Sequence, residues 1–252
     1  MNAIDRSIRY IGIKDISKFY RVKPPRHIRN EEVPLAGQAA FGDGAPMILT
    51  EIAPAELEAT LDRYAACLPE AGATRRVFAR IRASLGATDR DLSAMHRDAV
   101  ALTECFGMRP IPEPPHIAFS WDGQAVRTES EPAVLLHEVA HYQLASPARR
   151  ALPDFGLGAG PETGRVEIAE AARRLDWLAR ETEEQMASLL GILWEIELGQ
   201  PGILAFQEQN WLEGAGRTGA AEFFCATLTR LQDCGLADED GHPLYALRVT
   251  PD

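Results

Sequence analysis

His137, Glu138 and His141, in the run 133–142, form an H-E-x-x-H motif, the densest concentration of metal-binding chemistry in the chain. On an α-helix, residues four apart lie about 40° apart around the axis, so both imidazoles reach one ion. Glu138 lies about 100° from His137 and about 60° from His141. That is near enough to act as general base on a metal-bound water, or as a further ligand. The motif thus supplies two ligands and one carboxylate.

Such a motif needs a helix, and its flanks provide one. Ser130 is an N-cap residue, Glu131 favours the positive end of the dipole, and Pro132 suits a first turn. Val134, His137, Glu138, His141 and Leu144 recur at helical spacing, so the ligand face is also a face that buries itself. The remaining histidines, His27, His96, His116 and His242, lack such spacing and read as structural or surface residues.

Two histidines do not hold a catalytic ion alone, and no H-x-x-G-x-x-H continuation follows. The third ligand is sought in the helical run 181–194. There Glu183 shares a face with Met186, Leu190, Leu193 and Trp194, whereas Glu184 lies with Ala187, Ser188, Gly191 and Glu195. This phase points Glu183 inward and predicts a His137–His141–Glu183 ligand set. Two histidines and one carboxylate suit a non-haem iron oxygenase and a zinc hydrolase alike, so ligand type alone does not choose the metal. Glu138 and Glu184 could bridge a second ion.

From His137 to Gly156 the chain resembles, without gaps, the elongation factor P hydroxylase family. The family pattern there runs H-E-x-x-H, then A-R-R (Ala148-Arg149-Arg150), then D-F-G (Asp154-Phe155-Gly156). The family's later E-x-x-x-Q-A-L helix lies onto 183–189, with its glutamate at Glu183, and Asn210–Gly214 is similar to its N-L-E-G stretch. The resemblance runs from Ile117 to Gly235. It implies a cytoplasmic hydroxylase that uses Fe(II) and dioxygen, which in the family acts on a modified lysine of a translation factor. After Asp154-Phe155-Gly156 the family's aromatic W-Y-C-P-D-G-R run is replaced by glycine-rich Leu157–Arg165. The expectation is a relative with the same metal chemistry and another substrate: amino-acid-like, carrier-bound or a protein side chain. The rival expectation is a Zn(II) metallopeptidase or hydrolase with Glu138 as base; a binding protein with the metal as a structural clip is a third.

Arg149 and Arg150 follow the end of the metal helix, where arginines complement the dipole. A guanidinium at the mouth of a metal site would instead clamp a substrate carboxylate or phosphate. Asp154 could hold a ligand histidine by its second ring nitrogen. Glu138, Arg149 and Asp154 are therefore the candidate catalytic residues.

The elements that carry this site come from a chain of 252 residues, 46% hydrophobic, enough for a large core. No apolar run approaches a membrane span and the first residues lack a secretory core, so a cytoplasmic protein is expected. A net charge of −11 argues against nucleic acid as partner, despite basic residues between Lys14 and Arg29. Cys67, Cys105, Cys225 and Cys234 show no metal or cluster spacing and read as reduced thiols. Gly156–Gly160 does not open a helix after a strand, so no nucleotide cofactor is indicated.

The predicted class is α+β, predominantly helical: an H-E-x-x-H helix against a second, Glu-bearing helix, with a small strand-containing N-terminal region. Strands are expected within Ser7–Val22 and a loop over Asn30–Pro46. Helices are expected from Pro54 to Cys67, Ala73 to Ser84 and Asp89 to Phe106. Pro110–Pro115 reads as a stiff linker dividing an N-terminal extension, 1–115, from a catalytic domain, 116–252. Beyond it come a strand at His116–Trp121, the metal helix, two helices or a kinked one over Val166–Leu198, and a helix from Thr218 to Cys234. A short tail strand near Leu244–Val249 closes the chain. Asn210, Trp211 and Glu213 could line the site, though a tryptophan there is more often a packing anchor.

Overall fold

The computed structural model describes residues 52–160 and 163–250, so the strands expected within Ser7–Val22 and the loop at Asn30–Pro46 lie outside the described residues. Helix dominates what is described.

Local chemistry sets the helix starts. Helix α1 (Pro54–Cys67) begins on a proline whose missing N–H costs nothing there. It leads to α2 (Ala73–Ala83), which buries Val77, Phe78 and Ile81. Asp91 caps α3 (Leu92–Cys105), its carboxylate accepting the Ala94 N–H at 2.9 Å. Strands β1 (Arg109–Ile111) and β2 (Ala125–Arg127) form a parallel pair, with Pro110 opposite Val126. Then come α4 (Pro132–Leu144), α5 (Pro147–Arg150), α6 (Val166–Ala172), α7 (Trp177–Glu197), α8 (Gly202–Glu208) and α9 (Thr218–Asp233). Asp176 caps α7 through the Ala179 N–H at 2.8 Å.

Helix α7 is the axis of the core. Ala187, Leu189, Leu190, Ile192, Leu193 and Trp194 are all fully buried, so its middle has no solvent face. Its most extensive packing is against α4, whose Leu135, Leu136, Val139 and Ala140 are fully buried in the same core. The two backbones approach closely at Gly191, where a Cβ would stand 3.4 Å from the His137 Cα. Elsewhere in the same core, Tyr64, Phe78, Phe206, Trp211 and Phe224 interlock in edge and stacked contacts.

Several expectations are corrected. His116–Trp121 is not a strand: Pro115–Ile117 is a 3-10 turn and Trp121 makes only an isolated bridge to Val126. The strand forms one segment earlier, through Pro110, which is tolerated because a two-stranded sheet is all edge. The proline-rich stretch thus begins as sheet, and Leu102, Phe106 and Met108 before it share one core with Val126 and Leu136 after it. Glu131, not Ser130, takes the N-cap position of α4. The tail from Leu244 forms no strand; Gln143 ties it down instead, its amide donating to the Leu244 and Ala246 carbonyls at 2.8 and 2.9 Å. Among the described residues no helix is long and apolar enough to cross a membrane.

Candidate metal centre

One turn of α4 brings His137 and His141 edge to face, ring centroids 4.6 Å apart, with their Nε2 atoms 3.0 Å from each other. From α7, Glu184 Oε2 stands 3.4 Å from His137 Nε2 and 3.3 Å from His141 Nε2. The three donor atoms form a nearly equilateral triangle. Donors about 2.0–2.2 Å from one ion, at tetrahedral to octahedral angles, must lie about 2.8–3.5 Å apart. The group therefore fits a metal ion, and it is the one His, Cys, Asp and Glu group with such spacing among the described residues. His141 is buried, while about a quarter of the His137 and Glu184 side chains is exposed, so the triangle is reached from their side.

Helix phase points Glu183 at the ion; the structure brings Glu184 there instead. Glu183 is buried and engaged elsewhere: both its oxygens accept from the Arg149 guanidinium, Oε1 from Nη1 at 3.2 Å. The same Oε1 faces His141 Nδ1 at 3.5 Å, long for a hydrogen bond but the nearest acidic neighbour of that nitrogen. Glu183 thus stands between Arg149 and His141 Nδ1, a buried nitrogen that makes no hydrogen bond; with that short gap closed, the carboxylate would orient a metal-binding imidazole. Arg149 itself is 1% exposed and also donates to the Phe155 carbonyl at 3.1 Å, so it is no clamp for a substrate at the mouth.

Electrostatics match this geometry. Burial lowers the His141 pKa, but Glu184 and Glu183 outweigh it and push the imidazole up to about 10. Burial would raise Glu184, yet the charge of His141 and hydrogen bonds from both histidines hold its carboxyl well below the usual range. His137 is lowered, by burial first and by His141 second. The pocket favours one positive charge among these three groups, and a proton and a metal ion compete for it.

Asp154, Phe155 and Gly156 take successive left-handed conformations, with φ of 44°, 53° and 69°. This turn lays the Phe155 ring on His141, centroids 5.7 Å apart, and sandwiches it against Trp121. Glycine at 156 meets the positive φ without strain; Phe155 does not. Asp154 does not reach a histidine nitrogen as expected. Its Oδ2 accepts from Thr163 Oγ1 at 2.6 Å, and burial pushes its carboxyl up to about 6, partly countered by Thr163 and by the charges of His141 and Arg180.

Glu138 is half-buried on α4 and is not one of the three donors. Arg150 ties the fold, donating to the Tyr142 and Arg248 carbonyls. Trp211 is a packing anchor, buried against Phe206 and donating its indole N–H to Ser188 Oγ at 2.7 Å. His96 and His242 contact Thr128 and Glu197, away from the centre. Sequence reasoning places Glu184 behind Glu183 as the donor and misses Arg180, whose Nε lies 4.0 Å from Glu184 Oε1. The small residues Ala187, Ser188 and Gly191 on the Glu184 face were the available signal.

Comparison of the chain with family models, curated proteins and solved structures finds no match.

Proposed function

We propose that this chain is a metal-dependent hydroxylase that uses non-haem iron and dioxygen on an amino-acid-like, carrier-bound or protein side-chain substrate. The observation that carries the reading is the His137–His141–Glu184 triangle, two imidazoles and one carboxylate on two packed helices. A set of this composition with open positions is the donor chemistry of non-haem iron oxygenases. The resemblance of 137–156 to the elongation factor P hydroxylases supports the same choice. Bound Fe(II) would supply dioxygen activation; an external two-electron reductant balances insertion of one oxygen atom and reduction of the other to water.

The chain's own residues supply the rest. Arg149 holds Glu183, and Glu183 faces His141 Nδ1, a placement that would leave the Nε2 lone pair free to hold the ion. Phe155 covers the His141 ring and excludes water from that side. Asp154, with its carboxyl near 6, holds or releases a proton at the edge of the centre around neutral pH.

A zinc hydrolase with Glu138 as base is the second reading, favoured by the same donor set and by the position of Glu138 beside His137. Anaerobic reconstitution with Fe(II), metal analysis and admission of oxygen with the optical spectrum recorded separate the two. Stoichiometric iron that reacts with oxygen, lost in His137→Ala, His141→Ala and Glu184→Ala, is the expected result. Tight zinc with no oxygen reaction would replace the hydroxylase by the hydrolase, and metal retention in the histidine variants would remove the site altogether.

A further inference from the structure

Arg180 sits on α7 one turn before Glu184. Its Nη2 donates to the Ala159 carbonyl at 3.0 Å, while its Nε is buried, makes no hydrogen bond and stands 4.0 Å from Glu184 Oε1. Its side chain is only 16% exposed. The two carboxylate oxygens of Glu184 are thus divided: Oε2 faces both histidines and Oε1 faces Arg180.

Ala159 lies in the glycine-rich stretch Leu157–Gly160, where the chain departs from the pattern it resembles. The stretch is built to lie close. Gly158 has φ +92°, and a Cβ there would meet Arg173 Nε at 2.7 Å, while the Ala159 N–H donates to Glu170 Oε1 at 2.9 Å. Arg180 is therefore the side chain that joins this stretch to Glu184.

We propose that Arg180 is a positioning residue for the metal centre. Closing the short gap, its Nε–H takes Glu184 Oε1 and leaves Oε2 alone for the ion, while its Nη2–H fixes Leu157–Gly160 beside the site. A buried N–H without an acceptor is costly, and a charge-assisted bond to one oxygen disfavours ligation through both. The inference rests on the metal reading above. The competing view is a helix-surface ion pair at i, i+4, which contributes little and would leave metal binding unchanged.

The test compares wild type with Arg180→Gln, Arg180→Lys and Glu184→Ala. Co(II) and Zn(II) affinities come from chelator competition, and thermal unfolding and hydrogen exchange are measured on the metal-free proteins. Arg180→Gln is expected to weaken Co(II) binding about tenfold or more, at nearly unchanged Tm, with faster exchange at Ala159; lysine restores part of the affinity. An Arg180→Gln affinity within about twofold of wild type overturns the proposal. So does a loss that follows a fall in Tm and is not recovered by lysine. If wild type binds no more metal than Glu184→Ala, the metal reading itself fails; unchanged Ala159 exchange in Arg180→Gln would then overturn the hold on the loop as well.

Discussion

Replacing Arg149 by methionine leaves the Glu183 carboxylate beside His141 without its cation. Both members of the pair are buried, with side-chain exposures of 1% and 8%. Removing one partner of a buried pair costs about 3–5 kcal/mol, and here the Glu183 charge keeps only the longer contact to the His141 imidazole. For a chain of this size, each kcal/mol shifts Tm by about 2–4 °C, so Arg149→Met should lower Tm by about 6–20 °C. The double variant Arg149→Met, Glu183→Leu removes both charges at similar volume and should be more stable than the single one, with a coupling of about 2 kcal/mol or more.

The assay is urea unfolding of metal-free protein in chelator, followed by circular dichroism and tryptophan fluorescence. Metal must be absent because binding to the native state adds its own stabilisation. Coincident transitions license the comparison of free energies. In the double variant, Co(II) affinity should still fall about 10–100-fold, since His141 Nδ1 has lost the carboxylate that orients it. A single variant within about 1 kcal/mol of wild type, or a double variant no more stable than the single, would refute the buried-pair argument.

Three further outcomes follow from the same packing. Glu195 is 5% exposed, and burial, with Glu208 second, pushes its carboxyl up to about 8. The folded state therefore keeps a proton the unfolded chain releases near 4.5, and stability falls as pH rises from about 4.5 through about 8, by at most about 5 kcal/mol; Glu195→Gln should remove that slope, and equal urea midpoints for the two proteins at pH 6 and pH 8.5 would contradict it. Gly191→Val would press on the His137 backbone, already 3.4 Å from a Cβ at that position, and should weaken Co(II) binding at least about tenfold with every donor intact. Gln143→Leu strips the Trp194 indole N–H of its acceptor at 2.7 Å and the Ala246 carbonyl of its donor, and leaves the Leu244 carbonyl only the Ala246 N–H; it should cost about 2–4 kcal/mol by urea unfolding, and exchange at the Arg248 N–H, which donates to the Gln143 main-chain carbonyl, unchanged from wild type would show that the tail is held otherwise.

Much of the helical frame was legible because its signals are local. Pro54 and Pro132 mark two helix starts in the sequence itself; the caps Asp91 and Asp176, which fix two more first turns, are equally local signals left unused in the expected boundaries. The pairing of the two motif histidines was legible for the same reason, since it depends only on one turn of α4. The strand through Pro110 was not, because a short parallel pair is decided by its distant partner Val126 rather than by its own residues.

The misassigned carboxylate has a different cause. Apolar bulk marks the inward face of a helix only when the helix has an outward one, and the middle of α7 has none. Glu183 follows the large residues Met186, Leu190 and Trp194 into the core, where it needs a buried arginine. Glu184 lies on the face of Ala187, Ser188 and Gly191, and small residues are what let a second backbone approach closely. Because α4 crosses there, with His137 against Gly191, the carboxylate about two turns before the glycine is the one carried to the imidazoles. Where a helix is buried all round, as α7 is over residues 189–195, the small face locates the partner helix, and the partner's side chains determine which acid can meet them.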